Sequence, residues 1–105
     1  AVYGASKAAL RSLVQSLALA LIGRGIRINA VCPGPTDTRA FRRLRLPPEQ
    51  LAAVHRTVEA RMPPGRLAHA DEVAQAVLFL ASDAAAFVVG EELVVDGGLS
   101  LVCLP

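Results

Sequence analysis

Tryptophan is absent from the sequence, and tyrosine, lysine and methionine occur once each, as Tyr3, Lys7 and Met62. Three Phe and one Tyr give no series of aromatics interleaved with basic residues, which a base-stacking surface would need. A net charge of +2 is also too mild to hold a phosphate backbone, so no nucleic-acid partner is expected. The two cysteines, Cys32 and Cys103, are far apart and form no CxxC, which argues against a disulfide scaffold and makes a reducing cytoplasm the default compartment. Cys32 reads as a small core residue at a strand end, with a reactive thiol as the second reading, and Cys103 as an inert or loosely packed tail residue. Wholly apolar runs are short, such as Leu17 to Ile22, well below the ~18 residues of a membrane span. No basic segment followed by an apolar one marks a signal peptide, and no membrane partner is expected. His55 and His69 have no metal-like spacing with Cys, Asp or Glu, so no metal is expected either.

What is present suits a chain that buries both faces of something. Hydrophobic residues make up 53% of 105, enough for one modest domain. The first residue is Ala, and the chain reads as a piece of a longer protein. Residues 3–22 predict a helix, with Ala5, Ala9, Leu13, Leu17 and Leu21 among a wide apolar stripe that should be packed on more than one side. Gly23 and Gly25 supply its stop. The β-branched segment Ile26–Val31 predicts a strand, ended by the loop Cys32-Pro33-Gly34-Pro35-Thr36-Asp37-Thr38. Pro47-Pro48-Glu49 opens a second helix with Leu51, Val54, His55, Val58 and Met62 on one face. A third spans about 70–81, with Asp71 and Glu72 at its positive end and Val73, Ala76, Val77 and Leu80 inward. Glu92–Asp96 predicts a last strand, closed by Gly97-Gly98. Helix, turn and strand in this order indicate an α/β chain.

Three features carry chemistry. Tyr3 and Lys7 lie four residues apart, which stacks a phenol and an ammonium on one helix face. A phenol ordinarily titrates near pH ~10, and a neighbouring cation favours its ionised form, so such a pair can work as a general acid–base device. The bland alternative is a tyrosine at a helix start beside an exposed lysine. The second feature is Asn29-Ala30-Val31-Cys32-Pro33-Gly34 with Thr36 and Thr38, where strand end, freed backbone groups and small hydroxyls suit ligand binding beyond the carboxyl edge of a sheet. Otherwise it is a plain Pro-Gly turn. The third is Gly90 followed by Val95-Asp96-Gly97-Gly98, which alone is any hydrophobic strand with a glycine turn.

In this order and spacing, Tyr3-x-x-x-Lys7, Asn29-Ala30-Val31-x-Pro33-Gly34-x-Thr36-x-Thr38, Gly90 and Val95-Asp96-Gly97-Gly98 resemble the C-terminal part of a short-chain dehydrogenase/reductase. Asp71-Glu72-Val73-Ala74 and Leu80-Ala81-Ser82-Asp83 fit the same pattern, so the resemblance covers nearly the whole chain. It implies the C-terminal portion of one Rossmann-like, doubly wound parallel sheet over residues 1–105, incomplete here. It also implies an oxidoreductase that passes hydride between NAD or NADP and a carbonyl or alcohol substrate. Tyr3 would donate or accept the proton. Lys7 would assist it electrostatically and hydrogen-bond the nicotinamide ribose. Pro33, Gly34, Thr36 and Thr38 would line the nicotinamide end of the cofactor. The family often has valine or isoleucine where Thr36 stands, a change that a backbone contact survives. Residues 39–66 would form the variable substrate lid. Dimers or tetramers are common in the family, so a homo-oligomer is implied for the full-length protein.

The family's glycine-rich pyrophosphate turn and its catalytic serine have no counterpart in these residues. Gly23-Arg24-Gly25 follows a helix and enters a strand, the reverse of the required context. Ser6 and Ser12 lie on the Tyr3 helix itself. The isolated chain is therefore expected to be inactive. The alternative is a noncatalytic assembly or regulatory piece, whose apolar first helix docks on intact family subunits. Arg39, Arg42, Arg43 and Arg45 read as a solvated lid face, with attraction of an anionic substrate or carrier as the second reading.

Overall fold

A computed structural model describes residues 1–102; Cys103 lies outside the described residues. They fall into two compact units, Ala1–Cys32 with Ala76–Leu93, and Pro33–Gln75 with the described part of Val94–Pro105. The first unit opens on helix α1 (Val2–Leu21), which tightens into a 3₁₀ turn at Ile22–Arg24 and ends on Gly25. Gly25 has φ 76°, a left-handed position that glycine adopts without Cβ strain. The sequence predicts a helix packed on more than one side, yet among the described residues only Ala18 of α1 is buried. Leu10, Leu13, Leu17 and Leu19 are exposed. Length and hydropathy alone would let Val2–Arg24 cross a bilayer, a test that the core helix of a soluble protein also passes. The short apolar runs had suggested otherwise, because they missed the Ala and Leu residues scattered among single polar ones.

Strand β1 (Ala30–Pro33) pairs with the last strand, β4 (Glu92–Val95). The bonds Ala30 N–H to Glu91 O and Gly34 N–H to Val95 O climb both segments together, so the pairing is parallel. β1 is displaced from the expected 26–31 and runs through Cys32 and Pro33, where the sequence suggests a loop. Alternation explains how Pro33 is tolerated: the amides of Ala30 and Gly34 face β4, so the missing N–H of Pro33 points to the other side. Upstream, side chains replace the ladder. Asn29 donates from Nδ2 to Val88 O at 3.0 Å and accepts the Glu91 N–H at 2.9 Å. Arg27 donates to Leu80 O at 2.8 Å, a carbonyl in the last turn of helix α3 (Ala70–Ala81), and to Ser82 O just beyond it at 3.1 Å, which also accepts the Ala85 N–H.

In α3, Leu80 is buried, but Val77, expected inward, stays half-exposed and lines an open groove with Val31, Leu80 and Ala81. The helix begins on a one-sided capping box. Glu72 accepts the His69 N–H at 2.8 Å and a two-pronged contact from Arg66, with both N–O distances 2.8 Å. Arg66 first, then the His69 amide, hold the Glu72 carboxyl at about 2, below its ordinary value of 4.5. A carboxylate lowered in the folded state stabilises above its unfolded pKa, and that contribution disappears as pH falls through the folded one. Acid unfolding followed by circular dichroism is therefore expected to lose stability between pH 4.5 and about 2, with Glu72→Gln flattening that part of the curve. The pair is about half exposed, so solvent screening keeps the effect small. An unchanged acid limb in the variant would remove Glu72 from this role.

In the second unit, strand β2 (Thr36–Asp37) pairs in parallel with β3 (Ala68–His69), Thr36 opposite Ala68 and Asp37 opposite His69. The sequence gives no sign of this pair, because two residues carry no readable alternation. It closes the base of the excursion expected as a lid. Within the excursion a 3₁₀ turn covers Arg39–Leu44, and helix α2 covers Pro48–Glu59. Met62 is buried but lies beyond α2, not on its face as expected. Pro63 follows it, and a residue before proline is disfavoured in the helical region.

Candidate active site

Tyr3 and Lys7 occupy the first two turns of α1, with the Lys7 ammonium 5.4 Å from the centre of the Tyr3 ring. The Tyr3 ring is 75% exposed. Ser6 cannot serve as a nearby hydroxyl donor to a ligand in this geometry, because its Oγ donates to Tyr3 O at 2.7 Å. The helical spacing sets the phenol and the ammonium side by side on one face, as four-residue separation predicts, and in the described residues both are exposed.

Pro33, Gly34, Thr36 and Thr38 form one continuous loop at the carboxyl end of β1 and through β2. They belong to the second unit, whereas Tyr3 and Lys7 belong to the first. Gly34 is forced by its neighbour: a Cβ there would come within 2.8 Å of the Asp96 Cα and Cβ. Asp96 is itself fixed, its carboxylate accepting the Gly98 N–H at 2.9 Å and the Ser100 N–H at 2.8 Å. Those bonds, Ser100 before Gly98, hold the Asp96 carboxyl below its ordinary pKa. The two threonines are bonded in opposite senses. Thr36 Oγ1 donates to Gly34 O at 2.8 Å, which leaves its lone pairs open. Thr38 Oγ1 accepts the Ala40 N–H at 3.2 Å and caps the 3₁₀ turn, which leaves its proton free to donate. The loop therefore offers one hydroxyl with open lone pairs and one with a free proton, an acceptor and a donor that a polar ligand can use.

Two features escape a reading of the sequence. Asp96 is the clasp that holds the loop, and its signal was the Asp-Gly-Gly turn, in which an aspartate bonds backbone amides just downstream. The other is a groove of about 420 Å³ lined by Asp37, Thr38, Phe41, Leu51, His55 and Arg56 among others. His55, expected on a lid or surface, lies half-covered with its ring 5.4 Å from Phe41 and its nitrogens 3.9 Å from Asp37 and 3.5 Å from Glu59. No sequence spacing links residues 41 and 55 across two separate elements.

The model of the family described as Enoyl-(Acyl carrier protein) reductase matches residues 1–100. Cis-4-hydroxycyclohexanecarboxylate dehydrogenase of Sinomonas cyclohexanicum is 49% identical over 100 residues, covering 95% of this chain and 38% of that protein. The 2,3-dihydro-2,3-dihydroxybenzoate dehydrogenase of Escherichia coli is 42% identical, covering 94% of this chain and 42% of its own length. The chain thus spans about two fifths of the length of these two relatives. A short chain dehydrogenase family protein from Francisella tularensis, known as a crystal structure, superimposes with a TM-score of 0.80 at 31% identity, over 95% of this chain and 43% of that one. The strands and helices described above are therefore part of a Rossmann-like α/β fold. Matched by that family model over residues 1–100, the chain belongs to the short-chain dehydrogenase/reductase family.

Proposed function

We propose that residues 1–105 are the C-terminal part of an NAD(P)-dependent oxidoreductase acting on a carbonyl or alcohol substrate, and that they supply its proton-transfer group. The observation that carries this reading is the exposed Tyr3 ring with the Lys7 ammonium 5.4 Å away, in a chain of a dehydrogenase and reductase family. A bound NAD or NADP would supply or accept the hydride. In reduction, the Tyr3 hydroxyl gives its proton to the carbonyl oxygen as that carbon gains hydride; in oxidation, the phenolate oxygen takes the alcohol proton. Lys7 lends its charge to the phenol and reaches ribose hydroxyls. Pro33, Gly34, Thr36 and Thr38 hold the nicotinamide end, and the unspent Thr36 lone pairs and Thr38 proton suit that task. Residues 39–66 close over the substrate, on the stem that β2 and β3 make. Taken alone, the 105 residues are inactive in this proposal, since the rest of the cofactor site belongs to other parts of the protein. The protein is proposed to be cytoplasmic and to assemble as a dimer or tetramer.

The test is to mix the full-length protein with NADH or NADPH and a panel of ketones and aldehydes, or with the oxidised cofactors and alcohols. Change in the absorbance of reduced nicotinamide is the expected result. No turnover with any pair would overturn the reading. One observation favours the alternative of a noncatalytic piece that docks on intact subunits: the uncovered apolar stripe of α1, with Leu13 51% exposed and Leu19 80% exposed.

A further inference from the structure

The excursion between β2 and β3 contains a groove that the proton-transfer chemistry does not use. Its floor is apolar: Phe41 comes from the 3₁₀ turn, and Pro48, Leu51 and Ala52 come from α2. Arg42 and Arg56 line it from those same two elements. Arg11 is committed to Glu92, Arg66 to Glu72 and Arg27 to backbone carbonyls, whereas Arg42 and Arg56 are exposed and, of the arginines without an ion pair, are the two that line this groove. Among the described residues, no carboxylate lies within 4.0 Å of Arg42 or Arg56. Asp37, the acidic residue that lines the groove, faces His55 at 3.9 Å, and Glu59 faces the other ring nitrogen at 3.5 Å. The negative charges thus turn toward the imidazole, while the guanidinium groups have no partner.

The geometry points to this groove as a binding site for a small carboxylic acid with an apolar body, with Phe41 and Leu51 covering the body and Arg42 and Arg56 receiving the carboxylate. Each part answers a chemical need. A guanidinium fork matches a carboxylate with two parallel hydrogen bonds, and such charge-assisted bonds are the strong ones. A groove of about 420 Å³ is within the usual range for small ligands, and its apolar residues adjoin the two guanidinium groups. The inference rests on the proposed dehydrogenase activity only for its purpose: the groove would select acidic substrates within the lid.

Equilibrium binding tests it without turnover. Full-length protein is titrated by calorimetry with cyclohexanecarboxylate and, separately, with its neutral methyl ester. The acid is expected to bind at least about tenfold more tightly than the ester, the gain from one charged hydrogen bond. The double variant Arg42→Gln and Arg56→Gln is expected to lose that preference while it binds the ester as the wild type does, which also reports that it is folded. Equal binding of acid and ester, binding of neither, or an undiminished preference in the variant overturns the site. Binding of the acid with no nicotinamide turnover would count against the dehydrogenase reading and leave the site standing.

Discussion

Replacing Tyr3 by Phe in the full-length protein is expected to lower kcat by about 10²–10⁴-fold, the range a positioned general acid or base contributes. The substitution keeps the ring that stands beside Lys7 and removes only the hydroxyl that would carry the proton. Tyr3 is the only tyrosine in the chain, and the Ser6 hydroxyl beside it is committed to the Tyr3 carbonyl, so neither another phenol nor that serine can take over within these residues. Because the lost interaction belongs to the transition state, kcat and kcat/KM should fall together while KM changes little. Steady-state rates at saturating cofactor give both numbers. A Tyr3→Phe protein that turned over at the wild-type rate would remove Tyr3 from the proton-transfer step.

The second large effect is on stability. Gly34→Ala is expected to destabilise the protein by about 1–3 kcal/mol, the usual cost of forcing a methyl group into filled space. The new Cβ would sit 2.8 Å from both the Asp96 Cα and Cβ, and neither side can yield cheaply. Gly34 is held by its N–H bond to Val95 O at 2.9 Å, and Asp96 by the amides of Gly98 and Ser100. Gly23→Ala is the matched control, since a Cβ there meets nothing within 4 Å. Denaturant unfolding of the two variants measures the difference. A Gly34→Ala protein as stable as the control would show that the loop can shift away from Asp96, and the close approach would then not be what requires glycine.

The long periodic elements were legible in the sequence. Helices α1 and α3 lie within a residue or so of the predicted spans, since twelve or more residues of apolar repeat outweigh local exceptions. α2 begins at Pro48 as predicted, because proline suits a first helical turn and its lack of N–H costs nothing there. β1 was misplaced by several residues because its limits are set by what pairs with it. Its local composition favours Ile26–Val31, while β4 offers backbone partners from Ala30 to Gly34. Asn29 and Arg27 fill the gap with side-chain bonds that no propensity describes.

The sequence by itself determined the family and the facing of Tyr3 and Lys7, because both depend on spacing along one chain: residues four apart on a helix meet wherever that helix is placed. It also marked Pro33-Gly34 and Asp96-Gly97-Gly98 as special without relating them. Only the tertiary structure showed that the second motif is the reason for the first, since the backbone at Asp96 occupies the space that any side chain at residue 34 would need. It alone closed residues 38–67 on the β2–β3 stem and set Phe41 and His55 against each other. Such contacts join residues far apart in the chain, and they are decided by which surfaces come together in three dimensions, a property that local spacing does not encode.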